Sequence, residues 1–178
     1  MREPFGRPRR WIVVLTALVL ALLFFHAALA RSLVVRGDDF LYRSDRAQAI
    51  AHYKRALLFD GGSEDASDRL IFAALMERTP ATLREGVREA DRFLRRHPAS
   101  VTVRADRALC YLITRRYDRA YADFERVAAQ THQARDYAFA GWAAAHAGDR
   151  RAARALWERA LQIEPHFAPA VNALSRRS

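Results

Sequence analysis

Few residues of this 178-residue chain have the type and spacing to run a reaction. The single cysteine, Cys110, lies within the apolar stretch RALCYLI. One thiol can neither close an internal disulfide nor give a metal two thiolates. A nucleophilic thiol also needs a neighbouring base and an electropositive opening, so Cys110 reads as a small buried hydrophobe. His26, His52, His97, His132, His146 and His166 include no pair spaced i,i+4 to ligate a metal from one helix face. Asp118, Asp123 and Glu125 fall among arginines at helical spacing and read as surface ion pairs, each worth about 0.3 kcal/mol. The chain holds no G-x-S-x-G, H-E-x-x-H, phosphate-binding glycine loop or G-x-G-x-x-G. With neither a nucleophile–base pair nor a cofactor loop, the expectation is a protein that is not an enzyme and takes no cofactor or metal.

Composition narrows the elements that could position anything else. Thirty Lys+Arg against 20 Asp+Glu give a formal charge of +10, and Lys54 is the one lysine, so the positive charge is arginine. Seven Gly and six Pro are too few for a loop-rich β protein or a disordered chain. The length suits one ordinary domain plus an additional segment.

That segment is N-terminal. WIVVLTALVLALLFFHAALA, residues 11–30, carries no charge. As a helix it reaches roughly 30 Å, the hydrocarbon thickness of a bilayer. Arg2, Arg7, Arg9 and Arg10 precede it against Glu3 alone, which predicts that residues 1–10 are cytoplasmic and the rest lies outside. The alternative is a secretory signal cut after Ala30, because Ala28 and Ala30 have the small-x-small spacing of a cleavage site. The expectation is a membrane anchor, and the arginine-rich compact style of the chain points to a bacterial inner membrane with residues 31–178 in the periplasm.

The remainder is repetitive. Small residues recur at Gly37, Ala74, Ala108 and Gly141, and again at Ala49, Gly86, Ala120 and Ala153. Four places after the second series come Tyr53, Ala90, Phe124 and Trp157, then Ala56, Phe93, Val127 and Ala160. Gly61, Pro98, His132 and Pro165 close the units. The stretch Tyr137–Pro165, with Gly141, Gly148-Asp149, Ala153, Trp157 and Ala160, resembles a tetratricopeptide repeat, a helix–turn–helix unit of about 34 residues. Two helices approach closely only where one offers Gly or Ala to a bulky residue of the other. The resemblance implies an all-α, TPR-like α-solenoid preceded by one transmembrane helix. Repeats fall at about 30–66, 67–100, 101–133 and 134–167, with a capping helix at 168–176. Helices are predicted over 32–43, 46–59, 66–78, 83–96, 101–114, 117–130, 134–147 and 150–163. The second unit departs from the pattern, with Ala90 where an aromatic belongs and Phe93 where alanine belongs, so a looser or shifted helix is expected there.

The resemblance also implies a site. In tetratricopeptide proteins the first helix of each unit lines a concave groove. Carried over, the groove positions give Leu75, Arg78, Leu109, Leu112, Arg135 and Trp142, with Asp68 and Thr102 at its start. That lining suits an apolar peptide with arginines for carboxylates. The expected function is a non-catalytic, membrane-tethered scaffold that binds a protein or peptide partner in assembling an envelope complex. A soluble periplasmic adaptor after cleavage, or a basic surface binding envelope polyanions or lipids through Arg95-Arg96, Arg115-Arg116, Arg150-Arg151 and Arg176-Arg177, are the alternatives. Nucleic acid is not an expected partner, since no nucleic-acid motif is present, and the sequence leaves the oligomeric state open.

Overall fold

The computed structural model describes residues 10–175. Residues 1–9 of the expected cytoplasmic tail over 1–10, and the Arg176-Arg177 end of the last helix, lie outside the described residues. Within them the regular structure is helical and falls into two compact units, Met1–Ser63 and Glu64–Ser178. The boundary coincides with Gly61-Gly62-Ser63, where two glycines and a serine remove helix propensity.

The first unit is a helical hairpin of α1 (Arg10–Tyr42) and α2 (Arg46–Phe59). The apolar segment and the first repeat helix are one uninterrupted helix of 33 residues, so residue 30 marks no break in structure. From Trp11 to Phe25 its side chains are exposed. Ala30, Leu33, Val34 and Gly37 instead bury against α2, which contributes Ala49, Ile50, Tyr53 and Ala56. Gly37 is required here: a Cβ at that position would lie 2.4 Å from Tyr53 Cε1. Tyr53 is fully buried and donates its hydroxyl to Asp38 Oδ1 at 2.7 Å. At the turn Ser44 takes a left-handed φ of 63°, and Asp45 caps α2 by accepting from the Gln48 amide.

The second unit contains α3 (Glu64–Glu77), α4 (Pro80–Leu94), α5 (Val101–Ile113), α6 (Tyr117–Thr131), α7 (Ala134–Ala147), α8 (Arg150–Ile163) and α9 (Ala168–Ser175). Each helix packs on the next, and α3 also touches α5. Between α5 and α6 the amide of Arg116 reaches Tyr111 O and that of Arg115 reaches Leu112 O; between α7 and α8, Asp149 reaches Ala144 O and Gly148 reaches Ala145 O. This pair of bonds, with a left-handed residue at Arg115 or Gly148, satisfies the carbonyls that a helix end leaves open. Trp157 fills the α7–α8 interface, donating Nε1–H to Ala138 O at 3.3 Å. A Cβ on Gly141 would lie 2.6 Å from that nitrogen and 3.1 Å from Ala153 O, so the small-residue contact expected from the repeat is formed.

The second repeat is displaced along the frame. The left-handed residue is Arg78 and α4 begins at Pro80, against the predicted 83. Thr79 accepts from the Thr82 amide at 3.1 Å and Pro80 takes the first helical position, a start signal that the repeat frame overrode. Counted from its own start, α4 places Leu83, Val87 and Ala90 where α8 places Ala153, Trp157 and Ala160. The helix is therefore shifted but not loose: Ala90 and Phe93 are both buried.

One further expectation is corrected. Asp123 is not a surface ion-pair partner but is 4% exposed. Both its oxygens accept from Arg107, at 2.8 and 2.7 Å, while Arg107 Nη1 donates to Asp91 at 2.7 Å. Burial opposes the Arg107 charge, and the hydrogen bonds and charge of Asp123, then Asp91, outweigh it and hold its pKa above the usual value. One guanidinium thus ties α4, α5 and α6 together.

Candidate functional site

The side chains that pack α3 and α5 into the core are Ile71, Ala74, Val103, Ala108 and Cys110. A different stripe of the same helices is left over: Phe72, Leu75 and Met76 on α3, and Asp106, Leu109 and Ile113 on α5. Spacings of three, four and seven residues put each set on one helix face. Together with Arg78 they line a cavity of about 480 Å³. Phe72, Met76 and Ile113 are large apolar side chains, and Phe72 and Met76 are 45% and 47% exposed.

A second cavity, about 310 Å³, is lined by Arg135, Ala138, Phe139 and Trp142 of α7, Trp157 of α8, Phe167, and Pro169 and Ala173 of α9. Trp142 is 49% exposed and stands edge-on to His146 at 4.6 Å between ring centres. It also borders a third cavity of about 390 Å³ with Ala145, His146 and Asn172.

The groove residues expected from sequence are thus divided. Leu75, Arg78 and Leu109 line the first cavity; Arg135 and Trp142 line the second. Leu112 lines neither: it is 8% exposed and packs among Ala108, Ala120, Phe124, Ala140 and Ala143. Its neighbour Ile113 faces the cavity instead, one helical step of 100° away. Arg135 is not a free cation, since Nε donates to Asp136 Oδ1 at 3.0 Å. Arg78 has no ion-pair partner among the described residues. Phe72, Asp106 and Phe139 escaped the sequence reading; Asp106 and Phe139 occupy equivalent places in α5 and α7, while Phe72 belongs to the displaced repeat.

Asp106 is the electrostatic feature of the first cavity. Burial, and then the hydrogen bond and charge of Asp68 on α3, push its carboxyl up to about 8. Its Oδ2 is buried without a hydrogen-bond partner. The Cys110 thiol is buried, and burial together with the Asp106 charge pushes it up to about 12, so it stays a thiol at neutral pH. Four of the six histidines engage rings: His52 stacks on Phe40, His97 on Phe93, His146 on Tyr117, and His26 meets Phe59 edge-on. Among the described residues no group of three or more His, Cys, Asp or Glu is arranged to hold a metal.

Helical hairpins with small-on-large contacts and an apolar face left open define the class: this is the fold of the tetratricopeptide-repeat proteins. Solved structures with that fold superpose on most of the chain. MamA from Desulfovibrio magneticus RS-1, from residue 41 to its end, matches with a TM-score of 0.73 at 17% identity, over 85% of this chain and 82% of that one. YrrB, described as a TPR protein with an unusual peptide-binding site, matches at 0.70 and 18% identity, over 90% and 87%. A tetratricopeptide repeat protein from Parabacteroides merdae matches at 0.71 and 15% identity, over 83% of this chain and 58% of its own length. No known family profile matches the sequence, and no curated protein matches it.

Proposed function

We propose that this chain is a non-catalytic scaffold, tethered to a membrane by α1, that captures a segment of a partner protein in the apolar cavities of the Glu64–Ser178 unit. The observation that carries this reading is the exposure of Phe72, Met76, Ile113, Phe139 and Trp142 around shaped cavities. Exposed aromatic and sulfur-bearing side chains lining a concavity are the usual form of a peptide anchor site. A protein of the same fold, YrrB, is described as having a peptide-binding site. The tether rests on α1, which is long and apolar enough to cross a membrane and whose residues 11–25 are exposed. The arginines before Trp11 favour an N-terminus in the cytoplasm and a repeat unit on the far side, the periplasm of a bacterial cell. Assembly of an envelope complex is the role that fits a scaffold at that location.

Crosslinked pull-down from native membranes tests the reading. Trp142→Ala removes a half-exposed anchor without touching a core contact that α7 depends on, so capture falls about tenfold or more while the helical circular dichroism is unchanged. Undiminished capture contradicts the assignment. Retention in the pellet after alkaline carbonate wash tests the tether; release into the supernatant removes it.

A further inference from the structure

We propose that the cavity between α3 and α5 recognises its partner through a cation, a lysine or arginine side chain flanked by apolar residues, seated against the carboxyl of Asp106. This deepens the groove-binding reading above and rests on it. Two independent features meet at this place. The walls are apolar and exposed, through Phe72, Leu75, Met76, Leu109 and Ile113, and the volume of about 480 Å³ is that of a site for a bulky side chain and its neighbours. Asp106 lines the same cavity, and its Oδ2 is buried with no hydrogen-bond partner. A buried carboxyl whose charge no cation offsets is costly to ionise. An ammonium or guanidinium entering from the cavity supplies the missing donor as a charge-assisted hydrogen bond, shorter and stronger than a neutral one.

Asp106 is hydrogen-bonded to another acid, Asp68, and among the described residues no cation is paired with it. Arg107, next in sequence, is turned to Asp91 and Asp123. Arg104 donates to Pro98 O and lies near Asp123 at 3.8 Å. Arg78 lines the cavity but is exposed and makes no ion pair among the described residues, so water screens its charge far more than that of a buried carboxyl. The charged groups around Asp106 are Asp68 and Arg78 from α3 and the neutral Cys110 thiol on α5 itself; the acids of α4 and α6 that face α5, Asp91 and Asp123, are occupied by Arg107. Asp106 holds its proton until the pH passes about 8. An arriving cation displaces that proton, so binding tightens as pH rises.

The full chain in lipid nanodiscs, panned with a phage-displayed library of random peptides, tests this. Enriched peptides carry Lys or Arg beside apolar residues. Replacing that Lys by norleucine weakens binding about tenfold, Asp106→Asn weakens the Lys peptide equally, and the two losses do not add. Affinity of the Lys peptide rises at least about threefold from pH 6 to pH 9, where lysine keeps its charge, and Asp106→Asn removes the rise. Asp106→Glu, which keeps the charge, retains part of the binding and guards against a folding effect. If enriched peptides lose binding with Phe72→Ser but tolerate both norleucine and Asp106→Asn, the cation proposal is overturned and the groove reading stands. If no peptide responds to Phe72→Ser or Asp106→Asn, both fail for this cavity.

Discussion

Glycine decides the packing at two places and not at a third. A Cβ would fall 2.4 Å from the Tyr53 ring at Gly37 and 2.6 Å from the Trp157 indole at Gly141, closer than real atoms approach. At Gly86 the nearest atoms, Ala74 Cβ and Cys110 Sγ, stand at 3.4 Å. Gly37→Ala and Gly141→Ala are therefore expected to lose about 1–3 kcal/mol by overpacking. Gly86→Ala is expected to be neutral or to gain up to about 1 kcal/mol from helix propensity. Urea unfolding of the three variants separates them, and a loss at Gly86 as large as that at Gly141 would show that the α3–α4 contact is as tight as α7–α8. These glycines were visible in the sequence as members of one recurring series. What could not be read there was that Gly86 had left the series, because a three-residue displacement of a helix changes which residue meets which neighbour without changing composition.

At the scale of elements, the helices of the third and fourth repeats begin and end within a residue or two of the sequence expectation. Small-on-large spacing and a Gly148-Asp149 turn make their periodicity unambiguous. The α3–α4 hairpin differs because a local signal competes with the repeat. Thr79 before Pro80 is a strong helix start, with a side-chain acceptor for the Thr82 amide and a φ already suited to the first turn. Thr79→Ala should cost about 1 kcal/mol and raise amide exchange in the first turn of α4, measured by hydrogen exchange; unchanged protection would mean the early start is imposed by packing and not by the cap. The site was legible to a similar degree. Leu75, Leu109 and Trp142, carried over from their place in the repeat, line cavities, whereas Leu112 lies in the core because a single helical step turns a side chain from one to the other. Asp106 gave no signal, since an aspartate three residues before a leucine looks like any solvated acid until the fold sets Asp68 beside it.

For the whole molecule, the chain combines a helix long and apolar enough to cross a bilayer with a repeat unit in which exposed apolar side chains such as Phe72, Met76 and Trp142 line cavities. Arg107 pairs with Asp91 of α4 and Asp123 of α6, and aromatic residues such as Phe124 and Trp157 fill the interfaces between helices. Site-specific photocrosslinking in intact cells tests partner capture in the cavities most directly. With benzoylphenylalanine placed at Phe72, at Trp142, and at the exposed Arg154 of α8 as a control, the account predicts an adduct of one defined mass from positions 72 and 142 and none from position 154. Adducts from position 154 alone, or none from either cavity in membranes that retain the protein, would contradict it.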